Sequence, residues 1–164
     1  MTAAMIQNWN LRIKAQDDVY IVGDFCWRGG HDYAIQIAKQ LNGRKHLIIG
    51  NHDKVYLEFP NYREQFVAIE NLLDIIVDGE RITLCHYPLA EWNGSHRGSW
   101  HIHGHIHNRR DEAFEFMKTR ERALNAGADI TYLMPATFGE LKHYNEIFKT
   151  YAHGDGRSKD GVLL

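Results

Sequence analysis

Four apolar runs in this chain end in the same kind of polar punctuation, and that repetition restricts the fold more than any other feature. Val19-Tyr20-Ile21-Val22 runs into Gly23-Asp24, and His46 to Ile49 into Gly50-Asn51-His52-Asp53. Ile82 to Cys85 runs into His86-Tyr87-Pro88, and Trp100 to Gly104 into His105-Ile106-His107. Short β-branched and aromatic runs bounded by glycine, proline and polar residues read as strands. Carboxylate, amide and imidazole groups that follow such strands lie at C-terminal sheet edges, where open α/β sheets keep their sites.

The rest of the chain supplies helices around those strands. Met5, Ile6, Trp9 and Ile13 recur at helical spacing and predict an opening helix. A second helix is predicted from about His31 to Leu41, with Gly43 placed to stop it. Lys54 to Val67 is ambiguous, because Pro60 interrupts any helix there. Leu72 to Val77 and Arg81 to Cys85 flank Asp78-Gly79, a hairpin signal, and Ala123 to Ala126 reads as a further strand. Thr137 and Glu140 have capping-box spacing ahead of a last helix with Leu141, Tyr144, Ile147, Phe148 and Tyr151 on one face. Gly154 to Lys159 is polar and glycine-rich, so residues 154–164 are expected to be loose. Helices and strands alternate first and strands dominate later, which predicts a mixed α/β sandwich. With 164 residues and neither repeats nor a linker, residues 1–164 read as one domain.

Composition narrows the class. The formal charge of −2 is spread through well-mixed charged residues, which argues against a nucleic-acid or membrane surface. No segment is long and apolar enough to span a bilayer, and Met1 to Lys14 does not read as a secretory signal. Cys26 and Cys85 are too few for a disulfide framework or a thiolate zinc site, in keeping with a reducing cytoplasm. Six of the eleven histidines fall between His86 and His107, so the chemistry to look for is that of imidazole.

Asp24 follows a strand and a glycine, and one carboxylate can bridge two cations. Asp after a strand is also a common turn or helix cap. Asn51 offers a neutral hard oxygen, and the adjacent His52 can donate a proton to a leaving group. His86 reads either as a half-buried structural residue or as a ligand. His105 and His107 are two apart, so an extended backbone would point both rings the same way. Imidazoles mixed with Asp and Asn oxygens favour Mn, Fe, Ni or Zn over Ca or Mg. His101 and His103 are assigned structural or supporting roles, and Cys26 and Cys85 are assigned to packing.

Gly-Asp, Gly-Asn-His-Asp, His and Gly-His-x-His, in this order, resemble the calcineurin-like metallophosphoesterase superfamily, in particular its small single-domain bacterial and phage members. Trp92-Asn93-Gly94-Ser95-His96 and Asn125-Ala126-Gly127 are similar to that subgroup as well. The resemblance implies a four-layer αββα sandwich of mixed sheets holding two divalent metals. It implies Asp24 as the bridging carboxylate, with Asn51, His86 and His105 completing one metal site and His107 serving the other. His52 takes the place of the proton donor or transition-state contact. The implied substrate is a phosphate ester, attacked in line by a metal-bridging hydroxide.

Two departures qualify that picture. The family's first motif, an Asp-x-His ending the first core strand, belongs upstream of the opening helix and is absent from this sequence. The second metal is then left with Asp24 and His107, and the sheet is expected to lack its first core strand, exposing an edge that favours self-association. An internal start, natural loss and truncation all fit. His31 and Asp32 are further candidates for the depleted site. The second departure is Trp27, at a position where the superfamily's serine/threonine protein phosphatases carry an acid. It argues against that activity, while Arg28 is placed to bind phosphate, with Arg109 and Arg110 as weaker candidates. The expected function is therefore a phosphoesterase acting on phosphodiesters or small phosphomonoesters. The alternative is a metal-poor interaction scaffold, against which the intact His52 counts. Nucleic-acid binding without catalysis has neither a basic stripe nor an aromatic platform to support it.

Overall fold

The computed structural model describes residues 2–150; Tyr151 and the 154–164 tail of the sequence reading lie outside that range. Two sheets form. Strands β1 (Asp18–Ile21), β2 (Arg44–Ile48) and β3 (Ala68–Glu70) make a parallel sheet in that order. Strands β4 (Leu72–Val77), β5 (Glu80–Cys85), β6 (Trp100–His103) and β7 (Ala123–Asn125) make a second sheet, antiparallel at β4–β5 and parallel beyond. The helices are α1 (Thr2–Arg12), α2 (Gly30–Gln40), α3 (Pro60–Arg63), α4 (Glu112–Lys118) and α5 (Phe138–Thr150). This is the mixed α/β sandwich that the sequence predicts.

Alternation along β2 explains the layering. Leu47 and Ile48 are both fully buried on opposite faces of the strand, as expected for the middle of a parallel sheet. Leu47 joins Ala34, Ile35, Tyr62 and Phe66 in a core between the first sheet and helices α2 and α3. Ile48 joins Tyr20 and Val22 on one side and Ile82, Leu84, Ile102 and Leu124 on the other, filling the space between the sheets. On the far face of the second sheet, Phe114 and Met117 of α4 and Phe148 of α5 border a small cavity with His103, Ala123 and Asn125. The layers therefore run helix, sheet, sheet, helix.

Local signals are realised with small corrections. Asp78 and Gly79 both have positive φ, 52° and 79°, as a two-residue hairpin turn requires. The Thr137 amide donates to Glu140 and the Glu140 amide to Thr137, a reciprocal cap that starts α5. Pro60 begins α3 rather than interrupting a helix, since at the first helical position its missing N–H matters little. Gly43 does not cap α2, whose last helical residue is Gln40 and whose C-cap is Leu41; with φ +90° it packs against Ile13, just past α1, from which a Cβ would lie 2.7 Å. The three-residue β3 is too short to show a pattern, and the seven-residue α4, which the sequence reading did not identify, starts at an Asp111 cap that accepts from the Phe114 amide at 3.2 Å. β1 pairs with β2 alone among the described residues, leaving its other edge without a strand. No helix among those residues is long and apolar enough to cross a membrane.

Candidate active site

The four motifs meet because β1, β2, β5 and β6 all end at one side of the sandwich. Asp53 ties the first two together. Its carboxylate is wholly buried and accepts hydrogen bonds from the amides of Asp24 (2.7 Å), Phe25 (2.9 Å) and Gly50 (2.8 Å). Burial pushes its pKa up, while the three amides oppose that rise by favouring the anion. Asp24 in turn accepts from the His52 amide at 2.8 Å. The loops approach so closely that the glycines have no substitute. A Cβ on Gly23 would lie 2.2 Å from His86 Nδ1, and one on Gly50 would lie 2.3 Å from Asp24 Oδ1.

His86 is the centre of the cluster. It is 1% exposed, and its Nδ1 lies 2.9 Å from the Val22 carbonyl. A carbonyl only accepts, so Nδ1 carries the proton, and in the neutral ring the Nε2 lone pair faces inward. That lone pair meets Asn51 Oδ1 at 3.0 Å and Asp24 Oδ2 at 3.4 Å, both acceptors, and His105 Nδ1 at 3.3 Å. His105 Nδ1 also lies 3.0 Å from Asn51 Oδ1. Electron pairs gathered like this need a proton or a cation between them. Two ligands about 2.1 Å from one ion lie roughly 3.0–3.4 Å from each other, so these spacings suit a shared metal. The bond to Val22 is the kind of outer contact that fixes a ligating imidazole. Among the described residues, no three His, Cys, Asp or Glu side chains are already arranged around one point. The donors lie against one another, and one of the four is an amide. The donor set fits a borderline divalent ion.

The backbone at these residues is strained. Asp24, His105 and His107 have φ of 54°, 67° and 52°, a region that costs a non-glycine residue about 1–3 kcal/mol. This corrects the expectation of an extended His105–His107 pair: β6 ends at His103, and the Ile106 amide bonds back to the Gly104 carbonyl. The two rings have different partners. His105 joins the cluster, and burial lowers its pKa. His107 is exposed, with Nδ1 3.3 Å from Asp129. Its carbonyl accepts from the Asn125 side chain at 2.7 Å, and Asn145 of α5 holds the Asn125 amide at 2.6 Å.

Around the cluster, His52 is exposed, with its ring 5.6 Å from that of Trp27. Arg28 lies over Trp27, 4.5 Å from the ring centroid. Arg109 bonds to the Ile106 carbonyl, and Arg110 stacks on Phe148 and bonds to its carbonyl, so both arginines brace structure. His31 stacks on Phe59 and lies 3.3 Å from the Asp32 carboxylate. His101 and His103 are buried, with ring nitrogens on backbone groups, and burial lowers both pKa values, that of His103 to about 4. Cys26 and Cys85 are buried free thiols. Sequence reading missed the contributions of Asp53, Tyr87, Asn125, Asp129 and Asn145. Asp53 was visible as the last residue of its motif, but its three amide partners were not.

Comparisons with known proteins bear on the family and the fold. A family model described as calcineurin-like phosphoesterase matches residues 3–136. Uncharacterized protein MJ1445 of Methanocaldococcus jannaschii is 28% identical over 138 residues, covering 84% of this chain and 70% of its own length. Gene 66 protein of Mycobacterium phage D29 is 26% identical, covering 74% of this chain and 71% of its own length. The crystal structure of the protein of unknown function AQ665 from Aquifex aeolicus superposes with a TM-score of 0.68 at 26% identity, covering 87% of this chain and 83% of that one.

Proposed function

The chain belongs to the calcineurin-like phosphoesterase family, and on that premise we propose that it hydrolyses a phosphodiester or a small phosphomonoester with a divalent metal. One observation carries this reading: the inward lone pair of His86 confronts the oxygens of Asn51 and Asp24 beside His105. Asp24, Asn51, His86 and His105 would hold one ion, and Asp24 with His107 would approach a second. When bound, such ions lower the pKa of water and stabilise charge developing on phosphate oxygens.

The remaining chemistry belongs to the chain. Asp53 holds the Asp24 and Gly50 turns, so the ligand set is preorganised. Arg28 presents a guanidinium whose planar fork matches phosphate oxygens. His52, exposed beside the cluster, donates the proton that the leaving oxygen needs. Manganese-dependent release of nitrophenol from bis(4-nitrophenyl) phosphate, together with metal content per chain, tests the proposal. His52→Ala should lower turnover about 10²–10⁴-fold while leaving metal content unchanged. Equal loss of both would remove the role given to His52. No hydrolysis with metal bound would favour the scaffold alternative.

A further inference from the structure

Trp27 is 64% exposed although it follows buried Cys26 and lies beside the candidate site. An indole left in water forgoes the burial energy that large apolar side chains normally obtain. Its ring has two neighbours that explain its placement better than packing does: His52, at 5.6 Å, and the Arg28 guanidinium, at 4.5 Å. Among the described residues, the Arg28 guanidinium makes no hydrogen bond or ion pair, its carbonyl alone accepting from the Cys26 thiol, so its donors are free and the indole is what holds it. A second aromatic borders the other side chains of the cluster. Tyr87 is 41% exposed and lies edge-on to His105 at 4.8 Å and His86 at 5.0 Å.

We propose that Trp27 is a stacking surface for a planar ring carried by the substrate, and that the substrate is a nucleotide whose phosphate lies at the His86 cluster. The inference rests on the phosphoesterase reading of the same site and adds the substrate class. An exposed aromatic face bonded to a free cation suits a group that has both a π-system and an adjoining negative charge, and a nucleotide has both. Stacking accepts any base, so discrimination among the four is weak. Tyr87 closes the site on the side of His105.

Calorimetric binding in the presence of manganese separates the possibilities, using adenosine monophosphate, phenyl phosphate and ribose 5-phosphate with the full chain. Adenosine monophosphate should bind about tenfold tighter than ribose 5-phosphate, as expected for one base–aromatic stack. Trp27→Ala should abolish that ratio and Trp27→Phe should retain most of it. Phenyl phosphate weaker than adenosine monophosphate supports a nucleobase; equal binding replaces the nucleotide with any aryl ester. Adenosine monophosphate no tighter than ribose 5-phosphate, or a ratio unchanged in Trp27→Ala, overturns the proposal. Ring-dependent binding without manganese-dependent turnover would keep the stacking surface and remove the hydrolase reading. Turnover without ring preference would do the reverse.

Discussion

A buried carboxylate bonded to no cationic side chain among the described residues must find its donors in the backbone, and Asp53 finds three of them across two loops. Removing the carboxylate strands those amides in a site closed to water. Asp53→Ala should destabilise the fold by about 3 kcal/mol or more, and Asp53→Asn, which keeps an acceptor, by less. Urea unfolding measures both; a loss within about 0.5 kcal/mol, the usual range for surface changes, would show that the loops hold without the clamp. The strained backbones of Asp24 and His105 belong to the same account. They persist because Gly23, Gly50 and Gly104 let the neighbouring loops close around them.

At the scale of elements, α5 matters more than its place at the end of the described chain suggests. Asn145 is 1% exposed and bonds through its side chain to the amide and carbonyl of Asn125, which reaches the carbonyl of His107. Asn145→Ala should therefore lower stability by about 1–3 kcal/mol and loosen the His107 loop, a change that hydrogen exchange at residues 105–108 would register. The other end of α5 is tied to α1 by Arg12 and Glu140. The hydrogen bond from Arg12, assisted by the Thr137 amide, holds the Glu140 carboxyl at about 2. A depressed acid stabilises the fold above its unfolded value near 4.5 and loses that contribution as the pH falls toward 2. Glu140→Gln should flatten thermal stability across that window; an unchanged slope would mean that the pair does not bind the helices together. The contribution is modest, because both side chains are partly exposed.

For the molecule as a whole, an ion that binds the folded chain alone must raise its melting temperature. At 100 times its dissociation constant, manganese should add about 2.7 kcal/mol, and His86→Ala should remove most of that gain. A melting temperature indifferent to manganese in the parent chain would argue against a preorganised site. The sequence by itself determined the parts whose causes are local. Apolar runs closed by glycine became strands, Asp78-Gly79 became a hairpin turn, Thr137 and Glu140 became a cap, and the candidate site residues lay at strand ends because strand and turn propensities act over a few neighbours. Tertiary structure decided what depends on distant partners. Val22 orients His86 from 64 residues away, and Asp53 clamps Asp24 from 29. Asn125, 18 residues from His107, binds its carbonyl, and the left-handed turns at His105 and His107 give them different neighbours, where a strand would have aligned them. Trp27 stands in solvent rather than in the core. No short-range pattern encodes such contacts, because they exist only once two sheets have packed and brought their loops together.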